Sequence, residues 1–140
     1  MKEVDTRVAL SGLWTTTLLV FAYVDIFGFY RADVINGVLA GELSGTGLAV
    51  SQTFLTLTTL YVAAAASMVV VSLLAPPRVN RLANIVASLF YAVTVAATLI
   101  GESWVYYIVG TLIEITLLLA ITRIAWTWPK SAEPKRLLQE

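Results

Sequence analysis

Glu114 is the residue through which this chain could most readily do chemistry. It stands near the centre of a nearly continuous apolar run, WVYYIVGTLIEITLLLAITRIAWTW, residues 104–128. A bare carboxylate in hydrocarbon is costly, so an ionisable group in such a place is paired, protonated or turned toward a cavity. Asp25 is the acid of a second apolar run, and Gln52, Tyr91, Tyr107 and Tyr23 fall within or at the edges of the same kind of segment. Two carboxyls walled by amphipathic tyrosines could accept a proton or a cation. Net negative charge with no base at the same depth favours a cation or a neutral polar-headed molecule. An alternative chemistry is acid–base catalysis on a lipophilic substrate, with Glu114 as general acid and Asp25 or a tyrosine completing a relay. A third reading needs no chemistry: polar side chains between membrane helices contribute ~0.6 kcal/mol on average, so the stripe could serve a structural or accessory subunit simply by joining helices.

The elements that must position these residues are membrane spans. Of the 140 residues 59% are hydrophobic and 13% charged, far from the balance of a soluble domain. Nine basic and nine acidic residues cancel, which leaves no strong field to recruit nucleic acid. Neither Cys nor His is present, so thiol chemistry, disulfides, imidazole catalysis and the usual zinc and haem ligation are excluded. No cofactor or metal is expected, and catalysis would have to run on Asp, Glu, Tyr, Lys or Arg.

Four spans are predicted, at about 8–29, 48–75, 82–100 and 104–128, with a polar tail at 129–140. The expected fold is a single all-α membrane domain, an antiparallel bundle of four transmembrane helices. Glu3 and Asp5 interrupt any positive leader and no small-residue cleavage site precedes Arg31, so the first span is expected to stay attached.

On the first span Trp14, Leu18, Phe21 and Asp25 share a face at helical spacing, while Tyr23 points nearly opposite. The competing reading of Asp25 is an end charge at the headgroups, close to Tyr30 and Arg31. Residues 31–47 read as a short amphipathic helix on the membrane, with Asp33 as its N-cap, followed by a glycine-punctuated link. On the second span Gln52, Thr56, Thr59, Ala63 and Ser67 make a small, weakly polar face suited to helix packing. That span should stop at Pro76-Pro77. On the third span Asn84, Ser88, Tyr91, Val95 and Thr98 share a face. Asn80, Arg81 and Asn84 are expected to be structural, satisfying backbone groups around the PPRVNR turn. On the fourth, Tyr107, Gly110, Thr111 and Glu114 align, between Trp104 at one interface and Trp126 and Trp128 at the other.

Eight basic residues, among them Lys2, Arg7, Arg78, Arg123 and Lys135, collect at one side and Arg31 stands alone at the other. The positive-inside rule then places both termini in the cytoplasm and the protein in the cytoplasmic (inner) membrane. In that topology Asp25 and Gln52 lie roughly 6–8 Å deep and Tyr91 and Glu114 about 15 Å, an outward-opening polar column. An offset of roughly 8 Å between the acids argues against a tight carboxylate pair and is compatible with a relay through Tyr, Gln or water. Four helices make a thin pathway, so a homo-oligomer, with the dimer favoured, is expected in the lipid bilayer, together with a small-molecule ligand.

Several local features together resemble an uncharacterised family of small four-helix bacterial membrane proteins, a domain of unknown function. They are Leu13-Trp14 and Tyr23-x-Asp25 on the first span, Gln52 opening the second, Asn80-Arg81-x-x-Asn84-Ile85 opening the third, and Tyr106-Tyr107 with Glu114 on the fourth. The resemblance implies a four-span fold and brings no site residues. A more distant likeness to DoxX-like four-helix proteins rests on size and topology, and without cysteine it carries over none of that group's redox associations.

Overall fold

Helix boundaries in the computed structural model, which describes residues 4–128, follow from local chemistry at each end. Helix α1, Thr6–Gly28, starts where the Asp5 carboxylate accepts the Arg7 N–H at 2.8 Å. Helix α3, Gln52–Leu74, starts the same way, with Ser51 Oγ accepting the Phe54 N–H at 3.2 Å. It ends before Pro76, and Pro77 is the first residue of α4, Pro77–Ala97. The third span therefore begins five residues earlier than hydropathy suggests. Pro77 lacks an N–H at a position where the helix has no use for one, so it ends one helix and opens the next. Gly101, at φ +81°, turns the chain into α5, Val105–Thr127.

Between α1 and α3 lies the short helix α2, Ala32–Leu39, followed by a two-residue antiparallel pairing of β1, Glu42–Leu43, with β2, Leu48–Ala49. This corrects two expectations. The second span begins at Gln52 rather than 48, because Leu48 and Ala49 are strand residues. Asp33 is not the N-cap of α2: Arg31 holds that position, and Asp33 sits in the first turn as its ion-pair partner. Gly37 permits the hairpin to fold back, since a Cβ there would stand 2.9 Å from the Glu42 carbonyl oxygen.

The four long helices are each 21 to 23 residues and apolar enough to cross a membrane. At ~1.5 Å per residue they reach past a hydrocarbon core of ~30 Å. They alternate in direction, with α5 packed between α1 and α4 and α3 packed on α1 and, less closely, on α4. Leu19, Leu57, Val70, Val93 and Leu119 lie on the outside, while Ser11, Thr17, Ser72, Asn80, Asn84, Ser88, Thr111 and Glu114 are buried. This polar-inside, apolar-outside distribution suits a lipid solvent, where hydrogen bonds rather than hydrophobic burial must hold helices together.

Candidate functional site

The polar interior is arranged in three layers. The first, at the end of the bundle carrying the α3–α4 turn, is sealed and its Asn, Ser and Trp side chains are bonded, while the buried Arg81 Nε has no partner among the described residues. Asn84 Oδ1 accepts the Trp14 Nε1–H at 2.7 Å and the Ser72 hydroxyl at 3.2 Å, joining α1, α3 and α4 at one atom. Its Nδ2 donates to Asn80 Oδ1 at 2.7 Å and to the Asn80 carbonyl at 2.9 Å, while Asn80 Nδ2 donates to the Ser72 carbonyl at 2.7 Å. Ser88 Oγ continues the chain to Thr122 of α5 at 2.7 Å. Arg7 and Arg81 close two helix ends, donating to the Leu73 carbonyl at 3.0 Å and the Trp126 carbonyl at 2.9 Å. A cation on C-terminal carbonyls also complements the helix dipole. Asn80, Arg81 and Asn84, the polar residues around the turn, thus make hydrogen bonds that reach beyond the turn to α1, α3 and α5.

The middle layer holds the aromatic groups and Glu114. Tyr91 is 3% exposed; its hydroxyl donates to the Tyr61 carbonyl and its ring meets Trp14 edge-on at 5.8 Å. Tyr91 is therefore committed to packing and offers no free hydroxyl to a ligand. Tyr61 pairs with Thr94 across α3 and α4 at 2.6 Å. Glu114, 5% exposed, makes no hydrogen bond among the described residues, although Asp25, Tyr61 and Tyr107 are near enough to interact with it electrostatically. Gly110, one turn before Glu114, lets α1 approach α5 closely: a Cβ there would stand 2.5 Å from Val24 Cγ2.

Toward the α2 end the bundle loosens. Asp25, Gln52 and nearly all of α3 from Gln52 to Leu60 are exposed, and Tyr107 is half-buried. The Thr56 and Thr59 hydroxyls are satisfied by carbonyls of their own helix, at 2.8 Å each. Of the six residues expected around the site, Glu114, Asp25 and Tyr107 lie within electrostatic range of one another and Gln52 lies exposed at the same end, whereas Tyr91 is sealed. Tyr23 does not join them: it is 57% exposed on the opposite side of α1 and lines a groove against α5, as its helical spacing from Asp25 requires.

The third layer lies at the α2 end outside the spans, and it is not apparent from sequence. Arg31, 9% exposed, pairs with Asp33 at 2.7 Å and with Glu102 at 3.0 Å, and stacks over the Trp104 ring at 4.7 Å. Glu102 Oε1 also accepts the Ser103 and Trp104 N–H groups at 2.8 and 2.9 Å, capping the start of α5. Asp33, the principal partner, helps to hold Arg31 protonated well beyond its ordinary range, and the bonded guanidinium in turn lowers the Asp33 carboxyl. Burial alone would raise the Glu102 carboxyl, but the Trp104 N–H, Arg31 and the Ser103 N–H outweigh it and hold it low. The only hint in sequence was an isolated Arg beside an acidic residue two positions on; its pairing across 71 positions to Glu102 is a tertiary fact.

Four apolar antiparallel helices around a hydrogen-bonded polar interior define a small multi-pass α-helical membrane protein. Within that class the chain belongs to the family of unknown function DUF6326, whose model matches residues 2–134. No curated protein and no solved structure matches it. The family match agrees with the motifs on the four spans, and the likeness to DoxX-like proteins is not shown.

Proposed function

We propose that the protein binds a small cationic or polar-headed lipophilic molecule, for uptake or transport, in an intramembrane acidic vestibule that opens toward the α2 end. Glu114 is the acceptor at its base, Asp25 the charge at its mouth, and Tyr107 and Gln52 its walls. The observation that carries this reading is that Glu114 is buried and, among the described residues, unbonded, while the buried Asn, Ser and Trp groups deeper in the bundle are bonded. A residue kept only to join helices would use its acceptors; this one keeps them free. We place the protein in the cytoplasmic membrane with both termini inside, from its basic bias, and take the exposed small-residue face of α3, Ala63, Ala66 and Ser67, as the surface where a second copy packs.

The test is binding of tetraphenylphosphonium, a lipophilic cation, by calorimetry and by carboxyl infrared difference spectra. Wild type should bind and show a perturbed carboxyl band. Glu114→Gln should fold with unchanged thermal stability, lose the band and lose binding by tenfold or more, about 1.4 kcal/mol. Binding that survives intact in Glu114→Gln refutes the vestibule. A variant that is silent in every assay leaves the accessory-subunit reading in its place.

A further inference from the structure

The lipid-facing surface carries a built feature that the acidic vestibule does not use. A groove of about 420 Å³ runs between α1 and α5, lined from Thr16 to Phe27 on one helix and from Tyr106 to Ile113 on the other. Its floor is the close seam of Val24 on Gly110. On the helical wheel Glu114 falls to the core side of that seam and Tyr23 to the groove side. The two features are therefore back to back and separate.

The dimensions select the occupant. Thr16 and Phe27 are eleven positions apart, so the groove extends about 16 Å along the helix axis at ~1.5 Å per residue. That is close to the depth of one leaflet, about 15 Å, half of a ~30 Å hydrocarbon core. A single extended hydrocarbon chain fits such a groove along its length.

The end of the groove nearer α2 is chemically distinct. Tyr106 closes it, with a buried hydroxyl that makes no well-directed hydrogen bond among the described residues but lies close enough to the Arg31 guanidinium to favour its charge. That hydroxyl lies at Gly28, where a Cβ would stand 3.8 Å from it, one turn before Arg31. Arg31 is fully engaged by Asp33 and Glu102, so the cluster carries one net negative charge, and the Asp33 side chain remains 41% exposed. A head entering here meets a carboxylate, not a free cation.

We propose that the α1/α5 groove binds one acyl chain of a phospholipid of the α2-side leaflet, with an ammonium-bearing head resting at Asp33. The full chain would be placed in phosphatidylglycerol bilayers containing a trace of phosphatidylethanolamine, or of phosphatidylglycerol, bearing a photoactivatable group in its acyl chain. Mass mapping of the adducts then reads occupancy.

The ethanolamine probe should label Val20, Val109 and Ile113 saturably, and about fivefold more than the glycerol probe, roughly what one charge contributes near a membrane surface. Val20→Phe and Val109→Phe, which fill the groove, should each remove that labelling, while Val70→Phe on the exposed face of α3 should not. Tetraphenylphosphonium binding at Glu114 should persist in both groove variants, so loss of one site is distinguishable from loss of the other. Adducts spread evenly over all lipid-facing helices, equal or stronger labelling by the glycerol probe, or labelling unchanged in both correctly folded groove variants would each overturn the proposal.

Discussion

Removing Asn84 tests whether the sealed inner layer holds the bundle together. In Asn84→Leu the Trp14 Nε1–H and Asn80 Oδ1 both lose a partner at 2.7 Å, and Ser72 loses a weaker one at 3.2 Å. All four side chains are fully buried, so water cannot replace what is lost. A stranded buried group costs ~1–3 kcal/mol. Two such groups, taken near the low end because an unfolded chain in the bilayer also finds partners, make a loss of about 2–3 kcal/mol. The bond specific to Trp14 is isolated by a double-mutant cycle of Trp14→Phe with Asn84→Leu. The expected coupling is ~0.6–1.7 kcal/mol, from the average to the largest value for polar pairs between membrane helices. Reversible unfolding of the full chain in mixed micelles or bicelles, followed by the emission of Trp104, Trp126 and Trp128, supplies all four corners. Costs that add to within ~0.3–0.5 kcal/mol would mean that the two residues act independently and that the network does not couple α1 to α4.

At the α1–α5 seam, Gly110→Ala should lower stability by ~1–3 kcal/mol, because the new methyl meets Val24, and Val24→Ala in the same chain should restore most of the loss in the same assay. The outer cluster predicts an acid limb. The folded-state carboxyls of Glu102 and Asp33 are held below their ordinary values, so their contribution is present above the unfolded carboxyl range and is lost as pH falls through the lowered folded values. Thermal stability should therefore fall in acid, and Arg31→Leu should flatten that dependence; an unchanged acid limb in the variant would remove the cluster as its cause. For orientation, cysteines placed singly at Ser44 and Ser131 should react with impermeant maleimide from opposite sides of sealed cells, Ser44 from outside. Labelling of Ser131 from outside would reverse the topology.

The architecture was legible in the chain because a bilayer imposes strong local rules. Each span must satisfy its own backbone and present apolar side chains outward, so length and hydropathy alone located four helices, and Pro76-Pro77 and Gly101 marked two of the turns. The exact ends were less legible, since Pro77 can open a helix as well as stop one and Leu48 and Ala49 are apolar enough to pass for span. Helical periodicity also placed Asp25 and Tyr23 on opposite sides of α1 and Glu114 beside Gly110.

What the periodicity could not supply was the partner of each inward group. Asn84 and Trp14 are 70 positions apart, and Arg31 and Glu102 are 71 apart. Nothing local distinguishes an asparagine that joins three helices from one that caps a turn. Nor does sequence tell a tyrosine with a committed hydroxyl, Tyr91, from one left half-buried near an acid, Tyr107. Those distinctions depend on the rotation and register with which four similar cylinders pack. In lipid these are settled by close approach at small residues such as Gly110 and by the few hydrogen bonds that can be completed between helices, and both exist only once the bundle has formed.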